Sequence, residues 1–151
     1  MGLSDIEFSE IGAELIRLLG NWIKPRKLGR IFDSSGGFIM PNTDLRAPDV
    51  CFVSAQRLKR TVRDFGNLVP DLVVQIKSKT DRITKLEDQL KLFLTLGAQV
   101  GILINPDELI VTVYRPDGKI TLLTGDDKLT VSELFPGWEI AIFELCLPVF
   151  E

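Results

Sequence analysis

Three features of the sequence predict an α/β fold in which helices flank a mixed β-sheet. Two segments repeat apolar residues at helical spacing, several short apolar runs bounded by turn residues read as strands, and one helix joins two strands at crossover length. Ser4 and Glu7 are spaced as a capping box before the first helix. Its stripe runs through Ile11, Leu15, Leu18, Leu19, Trp22 and Ile23, and Pro25 and Gly29 are expected to end it. Residues 28–32 and 37–40 read as two strands joined by a hairpin-type connection, followed by a turn over 41–44. Residues 50–54 form an almost wholly apolar strand, which implies burial on both faces. A short basic helical turn over 55–60 and a polar loop to Val69 lead to the most strand-like run, 71–77. Thr80 or Ser78 caps the second helix, with apolar positions Ile83, Leu86, Leu90, Phe93 and Leu94 and a stop at Gly97. Strand 100–104 follows. The helix between 71–77 and 100–104 makes those strands parallel neighbours. Strands 109–115 and 120–124, a helical piece at 131–135 and a strand-like run at 138–143 complete the chain. No linker or repeat divides residues 1–151, so a single domain is expected.

Composition removes whole classes of chemistry. The 151 residues are 45% hydrophobic and contain no histidine. Ser–His–Asp and Cys–His catalysis and His-bearing zinc sites are therefore excluded, since each needs an imidazole. Cys51 and Cys146 are too few for a disulfide framework, which points to a reducing, cytoplasmic setting. No apolar run is long enough for a membrane span. The net charge of −3 conceals a segregation: residues 24–85 hold 13 Lys and Arg against 6 Asp, and both flanking segments are acidic. A basic middle is what a phosphate-facing surface requires, and Arg57, Lys59, Arg60 and Lys79 are its DNA-binding candidates. Scattering of these bases over solvated faces is the alternative.

The chemistry-bearing cluster is Ala47–Val53 followed by Pro70–Ser78. In a strand Gln75 and Lys77 point to one face about 7 Å apart. Two polar groups on an apolar strand need partners, because their burial alone is costly. Asp49 opens the preceding strand and joins them if the two strands pair. A carboxylate, an amide oxygen and an ammonium would then surround one point, able to hold Mg²⁺ and to serve an attacking water. Asp71 lies roughly 13 Å from Gln75 along the strand and cannot share that ion. The alternative for Gln75 and Lys77 is a solvent-facing polar couple with no chemistry. Cys51, between Val50 and Phe52, reads as a small buried hydrophobe.

These residues carry a resemblance. Asp49…Gln75-Ile76-Lys77 resembles the signature of the PD-(D/E)XK nuclease superfamily, with its restriction-endonuclease-like fold. The strings Arg46-Ala-Pro-Asp-Val50, Pro70-Asp-Leu-Val-Val74, Val113-Tyr-Arg-Pro-Asp-Gly118 and Glu133-Leu-Phe-Pro-Gly137 more closely resemble the Uma-two family of restriction endonucleases. The resemblance implies a Mg²⁺- or Mn²⁺-dependent endonuclease cutting DNA, with Asp49 as the metal-binding aspartate, Gln75 at the second acidic position and Lys77 as the catalytic lysine. It also implies that Ile76 and an acid of the first helix join the metal; Glu14 is the candidate, about 60° from the apolar stripe, ahead of Glu7 and Glu10. Relatives usually carry Glu where this chain has Gln75, and often Lys at Gln89, so the site lacks one anionic ligand. That departure supports a second expectation, a catalytically inactive nuclease-fold protein that binds nucleic acid or protein. A homodimer is expected from the resemblance and from uncovered edge strands near 111–124.

Overall fold

Residues 3–151 are described by a computed structural model. The first helix, α1 (Ile6–Arg26), buries Ile11, Leu15, Leu19 and Ile23, the stripe its spacing predicts. Its cap is Asp5 and not Ser4: Asp5 Oδ1 accepts the Phe8 N–H at 2.8 Å. Pro25 sits inside the last turn and Lys27, at φ 55°, ends the helix. Four strands follow, β1 (Gly29–Phe32), β2 (Phe38–Ile39), β3 (Leu45–Arg46) and β4 (Val50–Ser54). The hairpin expected between the first two does not form. β1 pairs antiparallel with β4, and β2 pairs with the unforeseen β3 around the 41–44 turn. Residues 55–60 make one hydrogen-bonded turn, Leu58 N–H to Ser54 C=O at 3.1 Å, and no helix.

β5 (Leu72–Ile76), α2 (Ile83–Leu96) and β6 (Val100–Asn105) form the expected crossover, with β5 and β6 parallel. Neither Thr80 nor Ser78 caps α2. Arg82 occupies that position without a side-chain bond, while Asp81 Oδ2 accepts the Ser78 N–H at 3.0 Å and folds the preceding loop. Gly97, at φ 127°, ends α2 as expected. β7 (Ile110–Tyr114) and β8 (Ile120–Thr124) extend the sheet as an antiparallel meander. The main sheet thus runs β1-β4-β5-β6-β7-β8, mixed through its single parallel pair. Beyond it, β9 (Lys128–Thr130) pairs with β10 (Glu139–Ala141), and a 3-10 turn covers Ile142–Leu145. The expected helical piece at 131–135 is a tight turn closed by Phe135 N–H on Val131 C=O at 2.7 Å, and the long strand at 138–143 shortens to β10.

Strand alternation divides the interior in two. Val50, Phe52, Leu72, Val74 and Ile76 face α1, together with Phe135, Trp138 and Ile140 of the carboxy-terminal segment. Cys51, Val53, Val73 and Leu103 face α2, against Leu86, Leu90 and Phe93. Both faces of β4 and β5 are therefore dry, which is why these strands read as unbroken apolar runs. Among the described residues no helix is long and apolar enough to cross a membrane.

Candidate active site

Asp49 immediately precedes β4, and the register that sets Val50 opposite Val74 extends to bring Asp49 opposite Gln75. Alternation places both on the α2 face, with Cys51 and Val73. Asp49 Oδ2 accepts the Ile76 N–H at 2.7 Å, which commits one carboxylate oxygen and finishes the ladder. Burial pushes the Asp49 carboxyl up to about 7; the Ile76 N–H opposes that rise and the charge of Asp81 adds to it. Gln75 is only 7% exposed and donates from Nε2 to Gln89 Oε1 on α2 at 3.1 Å. Gln75 and Gln89, the two positions where the resemblance implied charged residues, are thus bonded to each other. A buried amide whose donor is satisfied in this way costs little, whereas a second carboxylate at that spot would need a cation.

Asp49 and Gln75 share a cavity of about 730 Å³. Asp5 and Asp81 line it too, and Arg46, Lys79 and Lys85 give it a basic rim. Both oxygens of Asp5 are engaged, Oδ1 with the Phe8 N–H and Oδ2 with the Lys79 N–H at 2.9 Å, and these two bonds hold its carboxyl below the ordinary range. Asp5 therefore ties the start of α1 to the loop before α2 and shapes the cavity wall. Ser4, Ser78, Thr80 and Gln89 add polar lining, and apolar side chains, among them Phe8, Met40, Leu86 and Phe93, complete it.

Lys77 takes a different course. Its Nζ lies 2.6 Å from Asp107 Oδ2, just after β6, and donates to Ser78 C=O at 3.3 Å. It is not among the residues lining the cavity. Glu14 pairs with Arg17, whose guanidinium holds its carboxyl below the usual range, and it too is outside the cavity lining. Glu7 lines a separate apolar cavity with Ile104 and Leu145, and Glu10 is exposed. Ile76 presents its side chain to α1, near Gly12, so only its main chain can serve the site.

The basic candidates divide similarly. Arg57 donates to Val69 C=O at 2.8 Å and to Asp71 Oδ1 at 2.9 Å, fastening its loop to the start of β5. Asp71, 1% exposed, also accepts from the Ser54 N–H and Gln99 Nε2, so its role is structural and it stands apart from the site. Lys59 and Arg60 are exposed, and Lys79 is exposed at the cavity. Arg46 and Lys85 were not singled out from sequence; only the excess of bases over 24–85 hinted at them. Burial pushes the Cys51 thiol far above its usual range, as befits a packing residue.

A hard dication suits the oxygen donors here. Mg²⁺ binds through one or two carboxylates and retains several waters. The free oxygen of Asp49 supplies one carboxylate and Gln75 a neutral carbonyl, with Asp81 lining the same cavity. Among the described residues no three acidic, cysteine or histidine side chains converge on one point. The donor set fits a dication held with few protein charges.

Comparison with known proteins bears on the family and the fold. A family model described as "Uma2: Putative restriction endonuclease" matches residues 1–143. Among solved structures, the chain is similar to one titled a "putative nuclease belonging to DUF820" from Anabaena variabilis. The two share 23% sequence identity and a TM-score of 0.87 over 95% of this chain and 82% of that chain. That likeness is one of fold. No curated protein matches the chain.

Proposed function

Since the chain belongs to the Uma2 family of restriction-endonuclease-like proteins, we propose that it is a divalent-metal-dependent endonuclease that hydrolyses DNA phosphodiester bonds. The observation that carries this reading is the meeting of Asp49 and Gln75 across the β4–β5 register, inside a cavity rimmed by Arg46, Lys79 and Lys85. Asp49, Gln75 and the main chain of Ile76 would hold Mg²⁺ or Mn²⁺. The bound ion would supply Lewis acidity toward a phosphate oxygen. The chain's own groups do the rest. Lys79 and Lys85 receive the phosphate backbone, with Lys59 and Arg60 extending the basic track. The Ile76 N–H orients the Asp49 carboxylate, and the Gln89 amide fixes Gln75. Lys77 leaves Asp107 to orient the attacking water. We place a second copy against the edge of β8, where Ile120 and Leu122 are exposed, and assign the free thiols to a reducing cytoplasm.

The Lys77–Asp107 ion pair favours a second reading, in which the cavity binds nucleic acid or a protein without cleaving it. One substitution separates the two. Gln75→Glu restores an anionic ligand, so Mg²⁺ affinity measured by calorimetry should rise about tenfold or more, and nicking of supercoiled plasmid should rise with it. Lys77→Ala should then abolish nicking while leaving the circular dichroism spectrum unchanged. If Gln75→Glu neither binds Mg²⁺ more tightly nor cuts, the binding reading holds and the endonuclease reading fails.

A further inference from the structure

The loop between β4 and β5 carries an apolar tip among its bases. Residues 55–66 hold Arg57, Lys59, Arg60 and Arg63 against the single Asp64. Within them Val62 and Phe65 are 51% and 52% exposed, and Leu45 of β3 is 53% exposed. Gly37 explains how Phe65 and Leu45 come together. A Cβ at that position would stand 2.9 Å from Phe65 Cδ1 and 3.3 Å from Leu45 Cδ1, so both side chains rest on its bare backbone. The loop is fixed rather than loose at this point. Gly66 N–H donates to Gly37 C=O at 2.9 Å and Ile39 N–H to Gly66 C=O at 2.7 Å, which clamps the residue after Phe65 onto β2. The phenyl ring is thus seated by one edge on a rigid ribbon while half of the residue remains open to water.

Position and charge then select the partner. Leu45 also lines the cavity that holds Asp49 and Gln75, so Phe65, which rests on the same glycine, stands one side chain outside that lining. Arg57 is committed to Asp71, but Lys59, Arg60 and Arg63 are exposed. A flat apolar ring on a loop that also carries exposed cations suits a polyanion that carries unpaired aromatic faces. We propose that Phe65 is a stacking platform for an unpaired nucleobase, and that single-stranded or locally opened nucleic acid enters the cavity past it, with flanking phosphates on Arg60 and Arg63. This rests on the nucleic-acid reading of the same site and names the form of substrate that the site takes. A duplex with every base stacked offers Phe65 no partner until a base pair opens.

The test uses a labelled single-stranded oligonucleotide containing 2-aminopurine, whose fluorescence falls on stacking, in EDTA so that no cleavage intervenes. The unsubstituted protein should bind it and quench it. Phe65→Ala should bind about tenfold more weakly, the effect of removing one stacked base, and should no longer quench. Phe65→Trp should restore both, with its own emission quenched on binding. Circular dichroism guards against misfolding. If folded Phe65→Ala binds and quenches as the unsubstituted protein does, the platform is overturned while the nuclease reading stands. If Phe65→Ala instead turns a dimer into a monomer in light scattering and leaves oligonucleotide affinity intact, the patch is a protein interface and the platform is again overturned. If the unsubstituted protein binds neither single strand nor duplex, both readings fall together.

Discussion

Asp49 is the residue on which acidity and fold stability are joined. Its carboxyl titrates at about 7 in the folded chain, well above the ordinary 3.8 it regains on unfolding. Between those values the folded state binds the extra proton, so this group lowers stability as pH climbs from about 4 to about 7. Asp49→Asn removes that dependence. Without metal, its melting temperature at pH 8 should exceed that of the unsubstituted protein, and the gap should narrow to less than half at pH 5 and close near pH 4; calorimetry at pH 8 and pH 5 decides. An equal gap at both would mean that the carboxyl is not buried in its charged form. In the proposed metal site the same titration should weaken binding of the ion below pH 7, since the protonated acid is a poor ligand. Sequence already placed Asp49 and Gln75 together, because alternation and strand pairing are local and regular. It could not place Lys77, whose partner Asp107 lies 30 residues later on a loop. Phe65 was hidden for a different reason: an exposed aromatic in a polar loop leaves no periodic trace.

Strand β1 meets β4 through a close backbone approach that only glycine allows. A Cβ on Gly29 would stand 2.2 Å from the Val53 carbonyl oxygen and 2.7 Å from the Phe52 ring. The backbone atom cannot step aside, so Gly29→Ala should destabilise by about 1–3 kcal/mol or more, seen as a lower urea midpoint. A neutral effect would show that β1 is free to shift against β4. The elements most legible in sequence were those with long uniform apolar patterns, β4, β5, β6 and the stripes of both helices. Where partners were distant in sequence the reading failed. Residues 33–37 have turn chemistry, yet β1 finds its partner in β4, beyond the small β2–β3 ribbon. Turn residues announce a bend but not which strands it joins. Strand β3 is only two residues long and β9 three, too short for alternation to register.

Across the whole molecule, charge is segregated even though the net is −3. Under the proposed function, binding to nucleic acid should therefore depend steeply on salt. Replacing Lys59 and Arg60 together, each by Ala, should flatten the slope of log affinity against log salt by about 0.7–0.9 for every phosphate that is no longer neutralised. Fluorescence anisotropy across a salt series measures this, and an unchanged slope would remove these two residues from the track. The fold class and the crossover were legible because a 14-residue helix between two apolar strands leaves little choice of connection. The open edge of β8 was legible as well, as a strand with alternate exposed residues.

The parallel seam between β5 and β6 has a consequence for how this protein fails. Asp49 faces Gln75 only while β5 is gripped on both sides, by β4 running against it and by β6 running alongside. A fragment that ends before β6 loses that grip, since the seam closes only after α2 has crossed the sheet. Ligand capture and global structure should accordingly vanish in one transition on heating, and hydrogen exchange at the Ile76 amide should be among the slowest in the chain.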